Sequence, residues 1–239
     1  MEKFTMNLNE LKKEVYESNL KIVKEKLVVL TWGNTSAIDR NKGIFAIKPS
    51  GVRYSDLHWS NIVLIDLSGQ IVDSKLRPSS DTATHLELYK GFQEINAIVH
   101  THSTWATTWA QSGKNIPILG TTHADHFFGD IPCIPLLETK EVQTNYEQNT
   151  GLKIVSYFNV GGINPTRMPC CILKSHGPFV WGVGTEEAVN NSIALEYCAK
   201  MAYNTLVLNP NVDFPNYILE KHFYRKHGEN SYYGNKKSI

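Results

Sequence analysis

The stretch AIVHTHS, residues 97–103, is an apolar run that ends in two histidines. If the run is a β-strand, its side chains alternate between two faces, so His100 and His102 point the same way. Two imidazole nitrogens that converge on one point can bind a divalent metal, for which neutral imidazole is a good ligand. Two unrelated polar residues at a strand end would have the same spacing. Other parts of the chain must therefore decide between these interpretations.

The composition is that of an ordinary globular protein. The 239 residues are 41% hydrophobic and 20% charged, and this length is enough for one large domain or two small ones. The 24 basic and 23 acidic residues give a net charge of +1. A net charge this small does not predict binding to nucleic acid or to a membrane surface. Any anionic ligand must therefore be recognised by a local group of residues.

The N-terminal sequence MEKFTMNLNELKKEV lacks the basic-then-apolar pattern of a signal peptide. No apolar run approaches the roughly 18 residues that cross a bilayer. We therefore expect the protein in the cytoplasm. The four cysteines, Cys133, Cys170, Cys171 and Cys198, lack CxxC spacing and are predicted to be reduced and packed.

Apolar periodicity and turn residues predict a mixture of helices and strands. Helices are expected over residues 8–26, after residue 81, around residues 105–113, and over residues 185–208 and 216–228. Strands are expected over residues 43–51 and as a hairpin over residues 61–72, joined at Ser68 and Gly69. Residues 139–160 are expected to form a helix and an interrupted second segment, neither of which carries an obvious site.

Two polar turns are candidates for binding a phosphate. Gly33 and Asn34 suit a tight turn with free backbone N–H groups. Lys48, Ser50 and Gly51 follow a predicted strand and supply one positive charge and several donors. Ordinary connecting turns would use the same residues.

Ser79, Ser80 and Asp81 precede a predicted helix. A helix N-terminus presents unpaired N–H groups and partial positive charge to an anion. Capping requires only one such residue, so phosphate binding by Ser79 or Ser80 competes with the capping interpretation.

The stretch CCILKSHGPFVWG, residues 170–182, places a third histidine in the same local setting as His100 and His102. His176 ends an apolar run and is followed by a glycine and a proline. Three imidazoles with a fourth position open to water or substrate are the pattern of catalytic zinc. For His176 alone, a buried histidine bonded to a backbone carbonyl is the alternative.

The stretch TTHADH, residues 121–126, is dense in polar groups. Asp125 near a metal could act as an acid or a base, although a surface loop would use the same residues. Tyr232 and Tyr233 lie in a C-terminal tail. Aromatic pairs are unusual in a frayed tail, so we expect this one to pack, a neighbouring subunit being one candidate surface.

Together the motifs resemble the class II aldolase family and, within it, the members that epimerise ketopentose 5-phosphates at carbon 4. The resemblance covers almost the whole chain and rests on motifs in a fixed order. They are LTWGNTSAIDR (30–40), IKPSGV (47–52), PSSDT (78–82), HTHS (100–103), GTTHAD (120–125), IPC (131–133), SHGPF with WG (175–182) and KHxxRKHGxxxYYG (221–234).

The resemblance implies a fold and an assembly. The fold would be α/β, a single domain over residues 1–239 built as a three-layer α/β/α sandwich around a mostly antiparallel central sheet. The assembly would be a fourfold-symmetric homotetramer with active sites between subunits, and the C-terminal helix and tail would contribute to an interface.

The resemblance also implies the site residues. A divalent ion, usually Zn²⁺ and alternatively Mn²⁺ or Co²⁺, would be bound by His100, His102 and His176, with Asp81 as an additional ligand. The phosphate of a sugar phosphate would lie among Asn34, Ser50, Gly51, Ser79 and Ser80, with Lys48 close by. Asp125 and Tyr233 would transfer protons, Tyr233 from the adjacent subunit, with Thr121 and His222 near the same end of the site.

The expected reaction interconverts L-ribulose 5-phosphate and D-xylulose 5-phosphate by cleaving and re-forming the C3–C4 bond. A family aldolase of the L-fuculose-phosphate type, which releases its fragments, is the nearer alternative. Those aldolases have a glutamate as acid/base at the position of Asp81, which favours the epimerase. A non-catalytic binding module is the more distant alternative, and it would need neither Asp125 nor Tyr233.

Overall fold

The computed structural model describes residues 7–233, whose strands form one eight-stranded sheet. In chain order the strands are β1 (Asn34–Asp39), β2 (Ile44–Ile47), β3 (Val63–Asp66), β4 (Ile71–Asp73), β5 (Ala97–His100), β6 (Cys133–Ile134), β7 (Cys170–Leu173) and β8 (Pro178–Gly182). They lie side by side in the order β4-β3-β2-β1-β5-β8-β7-β6. Every neighbouring pair is antiparallel except β6 and β7, which are parallel. The predicted mostly antiparallel α/β sheet is confirmed.

Helices cover both faces of this sheet. They are α1 (Leu8–Lys24), α2 (Thr82–Gly91), α3 (Thr104–Ser112), α4 (Thr121–Ala124), α5 (Thr139–Gln143), α6 (Tyr146–Val160), α7 (Thr185–Leu208) and α8 (Asn216–His227). Within residues 7–233, none of them is both long enough and apolar enough to cross a membrane. The four cysteines are free and buried, as predicted.

Strand β5 lies at the centre of the sheet, and all four of its residues are buried. Ile98 packs into one apolar core, and Ala97 and Val99 pack into another on the opposite face. A strand with both faces covered needs apolar residues at successive positions, which accounts for the unbroken run before His100. The two cores and the helices beyond them make the three layers of an α/β/α sandwich.

Helix α1 covers one face of the sheet. A capping box between Asn7 and Glu10 begins the helix. Its apolar stripe, which includes Leu11 and Val15, is buried against the same core as Val99. The helix ends at Lys24 because Lys26 adopts a left-handed φ of 58°. The predicted helix over residues 8–26 is therefore confirmed with a slightly earlier end.

Helices α2 and α6 cover the other face and approach each other closely at glycines. A Cβ atom on Gly151 would lie 2.8 Å from the carbonyl oxygen of Thr84. The Thr84 hydroxyl also donates a hydrogen bond of 2.6 Å to the carbonyl oxygen of Glu147. Because α2 begins after Asp81 and α6 begins at Tyr146, this contact sets the distance between the first turns of the two helices.

Two local predictions are wrong. Strand β5 ends at His100, so His102 lies in the connection to α3 and not on the strand with His100. Asn34 lies in β1, directly opposite His100, and not in the turn that ends at Gly33. The hairpin predicted over residues 61–72 is confirmed as the antiparallel pair β3 and β4. Gly234 and the rest of the tail lie outside the described residues.

Substituting Gly151→Ala should destabilise the protein by about 2 kcal/mol, because the added methyl meets a backbone oxygen that cannot move independently. This loss should exceed the gain of roughly 1 kcal/mol that alanine brings to a helix interior. Urea unfolding measures the difference. Gly184→Ala is the control, since its φ of −168° is extended and no atom lies within 4 Å of the new Cβ. A stabilised Gly151→Ala variant would show that the α2–α6 contact can yield.

Candidate functional site

Three imidazole rings converge at one end of the central strands. The ring centroids of His100 and His176 are 4.8 Å apart, and His102 lies 5.1 Å from each of them. One ligand nitrogen from each ring lies within 4.8 Å of the others. The structure thus brings together the three histidines that the sequence singled out.

The orientation of His100 is set by two contacts with β8. Its Nδ1–H donates a hydrogen bond of 2.9 Å to the carbonyl oxygen of Pro178. The Phe179 ring stacks on it at 4.1 Å with an interplanar angle of 16°. Since the carbonyl can only accept, Nδ1 carries the proton and Nε2 keeps its lone pair. Metal-binding histidines are oriented in this way.

His176 reaches the cluster through a tight turn between β7 and β8. Ser175 has a left-handed φ of 61°, which is unfavourable for a residue with a Cβ. Its N–H donates to the carbonyl oxygen of Ala110. A Cβ on Gly177 would lie 2.7 Å from the carbonyl oxygen of Thr101. Glycine therefore permits the close approach of this turn to the segment that carries His102.

The start of α3 fixes the segment around His102 from the other side. Both oxygens of the Glu196 carboxylate, on α7, accept hydrogen bonds from the first N–H groups of α3, at 2.8 Å from Trp105 and 3.0 Å from Ala106. A carboxylate is favoured there by the unpaired N–H groups and the helix dipole. Glu196 thereby anchors the helix that directly follows His102.

The histidine cluster fits a divalent cation. Burial lowers the pKa of His176 to about 3, and burial followed by the neighbouring His100 lowers the pKa of His102. Both rings are thus neutral near pH 7 and have lone pairs to give. His100 is buried, whereas His102 is exposed, so an ion among the rings would be open to substrate on one side.

Asp81 lies in the same cleft but is not a member of the close three-histidine cluster. It occupies the N-cap position of α2, yet its side chain makes no capping bond. Instead Oδ2 accepts hydrogen bonds from Asn34 Nδ2 at 2.7 Å and from the Ser79 hydroxyl at 3.4 Å. Burial would raise the pKa of Asp81, but His100 and other neighbours outweigh it and lower the pKa.

A cleft of about 440 Å³ joins these groups to the polar turns. Its lining comprises Thr31, Trp32, Gly33, Asn34, Lys48, Pro49, Ser50, Gly51, Ser79, Ser80, Asp81, His100, His102, Tyr146, Glu147 and His176. All the residues that the sequence suggested for a phosphate thus lie beside the histidines.

Backbone hydrogen bonds hold together two of the candidate phosphate-binding segments, residues 48–51 and residues 77–80, which we call the phosphate-type turns. The N–H of Ser79 donates to the carbonyl oxygen of Lys48, and the N–H of Ser50 donates to that of Arg77. Lys48 is only 2% exposed, and burial lowers its pKa to about 8. Among residues 7–233 this buried ammonium has no ion-pair partner, and an anion in the cleft would supply the opposite charge.

Tyr146 and Glu147 line the cleft from the first turn of α6, within a stretch whose sequence shows no obvious site. The Tyr146 hydroxyl lies 3.4 Å from Nδ1 of His176. Sequence reasoning missed both residues, because the packing of α6 on α2 brings them to the cleft and nothing in the local sequence marks them.

The remaining predicted residues form a second cluster between α4 and α8. Arg225 donates two hydrogen bonds to the Asp125 carboxylate, at 3.1 and 2.7 Å, and His222 Nδ1 donates a third at 3.1 Å. Thr121 is the first residue of α4. The Tyr233 ring lies under the Arg225 guanidinium at 4.8 Å. None of the four predicted residues in this cluster lines the histidine cleft within residues 7–233.

Arg225 is the residue of this cluster that sequence reasoning missed. Burial would raise the pKa of Asp125, but the hydrogen bonds from Arg225 and His222 lower it. The carboxylate is therefore held ionised. The spacing of His222 and Arg225, one helical turn apart, was a usable signal that both side chains face the same partner.

The chain matches the family model "Class II Aldolase and Adducin N-terminal domain" over residues 13–203. It therefore belongs to the class II aldolase and adducin domain family, whose aldolases are typically dependent on a divalent metal. The fold and the three-histidine cluster together define a class II aldolase/adducin-type domain with a candidate site for a divalent metal.

Solved structures share this fold along nearly their whole length. An L-fuculose 1-phosphate aldolase is 26% identical, with 92% of this chain and 97% of that chain covered and a TM-score of 0.76. YgbL from Klebsiella pneumoniae, for which aldolase, epimerase and decarboxylase are alternatives, is 22% identical, with 90% and 99% covered and a TM-score of 0.71. A sugar-phosphate aldolase from Thermotoga maritima is 20% identical, with 87% and 99% covered and a TM-score of 0.64.

Substituting His176→Ala should abolish tight binding of a divalent ion, since two imidazoles are left and one side of the cluster is open. Protein dialysed against Zn²⁺ should retain about one ion per chain in the wild type and less than about 0.1 in the variant, as measured by mass spectrometry of the metal. His58→Ala is the matched control, because His58 is exposed and packs against Trp59 away from the cleft. Full metal content in His176→Ala would contradict the three-histidine site.

Proposed function

We propose that the protein is a zinc-dependent sugar-phosphate 4-epimerase that interconverts L-ribulose 5-phosphate and D-xylulose 5-phosphate. One observation carries the proposal: a single cleft contains both the histidine cluster and the polar turns around Lys48 and Ser79. Mn²⁺ or Co²⁺ could replace Zn²⁺ at three imidazoles. In this proposal residues 1–239 form one domain, and the enzyme works in the cytoplasm.

The chemistry explains why an epimerase would have an aldolase site. The hydrogen on carbon 4 of a ketopentose 5-phosphate is not activated, so its direct removal would leave an unstabilised carbanion. Breaking the C3–C4 bond instead gives the enediolate of dihydroxyacetone and glycolaldehyde phosphate. A divalent ion held by His100, His102 and His176, with Asp81 as the additional ligand, would supply Lewis acidity for the developing negative charge.

The polar turns would hold the phosphate during the reaction. Lys48 supplies a buried positive charge, and Ser50 and Ser79 belong to two turns that are joined by backbone hydrogen bonds. Asn34, Gly51 and Ser80 complete the proposed phosphate site. A firmly held phosphate keeps glycolaldehyde phosphate in place while its aldehyde rotates, and bond formation on the opposite face inverts carbon 4.

Inversion requires a proton donor and acceptor on each face of the aldehyde. We assign this work to Asp125 and Tyr233, with Thr121 and His222 beside them. Because these residues lie away from the cleft of their own chain, they would act on the cleft of a neighbouring subunit. The exposure of Tyr233, at 58%, supports this arrangement. The assembly we propose is a homotetramer with active sites between subunits, in which α8 and the tail contribute to an interface.

A class II sugar-phosphate aldolase is the second candidate, favoured by the similarity to an L-fuculose 1-phosphate aldolase at 26% identity. Such an enzyme would use the same cleft and release both fragments. Asp81 supports the epimerase instead, because the family resemblance gives aldolases of that type a glutamate acid/base at the position of Asp81. The shorter aspartate accepts a bond from Asn34.

Incubation of the purified protein with L-ribulose 5-phosphate tests the proposal. We expect D-xylulose 5-phosphate to form, and we expect dialysis against a chelator to remove more than about 99% of the activity, since metal sites of this kind supply several kcal/mol of stabilisation. Restoring Zn²⁺ should restore the rate. Accumulation of dihydroxyacetone and glycolaldehyde phosphate would favour the aldolase, and no conversion with added Zn²⁺ would contradict the epimerase.

Substituting Tyr233→Phe should lower kcat by about 100-fold or more while leaving the metal content unchanged, because only a proton-transferring hydroxyl is lost. Tyr232→Phe is a matched control: Tyr232 is the adjacent residue, is similarly exposed and packs against Lys221 as Tyr233 packs against Arg225. Wild-type turnover in Tyr233→Phe would remove this residue from the mechanism.

A further inference from the structure

His85 is a fully buried histidine directly behind the cleft. It lies in the first turn of α2, where its N–H donates to the carbonyl oxygen of Asp81 at 3.0 Å. Its ring meets Phe179 edge-on, with centroids 6.1 Å apart, and Phe179 in turn stacks on His100. Residues four positions apart lie on the same side of a helix. His85 therefore stands next to Asp81 without lining the cleft.

A chain of hydroxyl groups determines which nitrogen of His85 carries the proton. Nδ1 lies 2.7 Å from the Ser36 hydroxyl, and that hydroxyl lies 2.7 Å from the Tyr89 hydroxyl. Within residues 7–233, Ser36 is the only hydrogen-bond partner of the Tyr89 hydroxyl. In the arrangement that uses the Tyr89 O–H, Tyr89 donates to Ser36 and Ser36 donates to Nδ1. In that arrangement Nδ1 is an acceptor, so the single ring proton of His85 is on Nε2.

The Nε2–H of His85 is a buried donor with no partner among residues 7–233. Buried donors without acceptors are uncommon because their desolvation is not compensated. Asp81 exerts the largest electrostatic effect of any single neighbour on this ring. Its Oδ2 accepts from Asn34 and Ser79, whereas its Oδ1 receives no hydrogen bond from residues 7–233. One unused donor and one unused acceptor therefore lie on adjacent side chains.

We propose that His85 is a positioning residue for Asp81. In the metal-bound protein its Nε2–H donates a hydrogen bond to Oδ1 of the Asp81 carboxylate. Asn34 then holds Oδ2 and His85 holds Oδ1, so the carboxylate is fixed at both oxygens. His85 acts on the cleft only through Asp81. The inference deepens the proposed function and rests on it for the role of Asp81 beside the metal.

Proton NMR of the intact, Zn²⁺-loaded protein tests the hydrogen bond without reference to activity. A buried imidazole N–H exchanges slowly and resonates downfield of the amides. We expect one such resonance to disappear in His85→Gln and to move upfield in Asp81→Asn, because a neutral amide is a weaker acceptor than a carboxylate. A His85 proton on Nδ1, shown by nitrogen shifts in ¹⁵N-histidine-labelled protein, would overturn the inference. So would an Nε2–H resonance that Asp81→Asn leaves in place.

Affinity for Co²⁺, measured by competition with a chelator, tests the positioning role. His85→Leu should weaken binding by about 10-fold, the usual effect of losing an outer partner of a metal ligand. His85→Gln, whose amide nitrogen can replace Nε2, should weaken it by less than about 3-fold. On the Asp81→Asn background, His85→Leu should change the affinity by less than about 2-fold.

Two outcomes of the Co²⁺ titrations would overturn the positioning role. One is that His85→Leu weakens Co²⁺ binding equally in the wild type and in Asp81→Asn, which would indicate a general structural effect. The other is that His85→Leu weakens Co²⁺ binding in neither protein. Thermal unfolding establishes that each variant is folded. If His85→Leu does not fold, His85→Gln and the NMR of Asp81→Asn decide the question. Failure to convert L-ribulose 5-phosphate would count against the proposed function but would leave both readouts interpretable.

Discussion

The hydrogen bond from His100 to the carbonyl oxygen of Pro178 joins two central strands where the cleft begins. It fixes one imidazole against β8, and the short turn before β8 brings His176 to the same place. The antiparallel pairing of β5 with β1 puts Asn34 opposite His100, so the residue that holds Asp81 enters from the other neighbouring strand. Loss of register between any of these three strands would separate the imidazoles from the carboxylate.

Within the described residues, the candidate functional groups lie in two separate clusters. The cleft contains the imidazoles and the phosphate-type turns, whereas Asp125 lies in a separate cluster in which Arg225 holds it ionised. A carboxylate in a two-bond contact with a guanidinium is a weak base until that contact loosens. In the proposed assembly, the arrival of a substrate in the neighbouring cleft would have to compete with Arg225 for Asp125. The aromatic contact between Arg225 and Tyr233 would couple the two groups to which we assign proton transfer, Asp125 and Tyr233.

The parts of the site that depend on local sequence could be predicted, and the parts that depend on packing could not. The apolar runs before His100 and His176 are local signals, and so are the Ser and Gly residues of the polar turns. His102 shows the limit of such reasoning: it reaches the cluster by a connection beyond β5, not by strand alternation. Tyr146 and Glu147 reach the cleft because α6 packs closely on α2 at Gly151. The pairing of Asp125 with Arg225 joins residues that are 100 positions apart. Local sequence patterns do not reveal contacts between residues so distant in the chain.

The turn that carries His176 has a consequence for the order in which the site is assembled during synthesis. His100 and His102 leave the ribosome long before His176, and β5 cannot pair with β8 until the later segment has emerged. A ligand that needs all three rings therefore adds nothing to the stability of a nascent chain that ends before β8, and it favours only chains in which the central strands have already met. Metal binding would then stabilise the protein only after β5 and β8 have paired, and it would not affect the earlier folding steps.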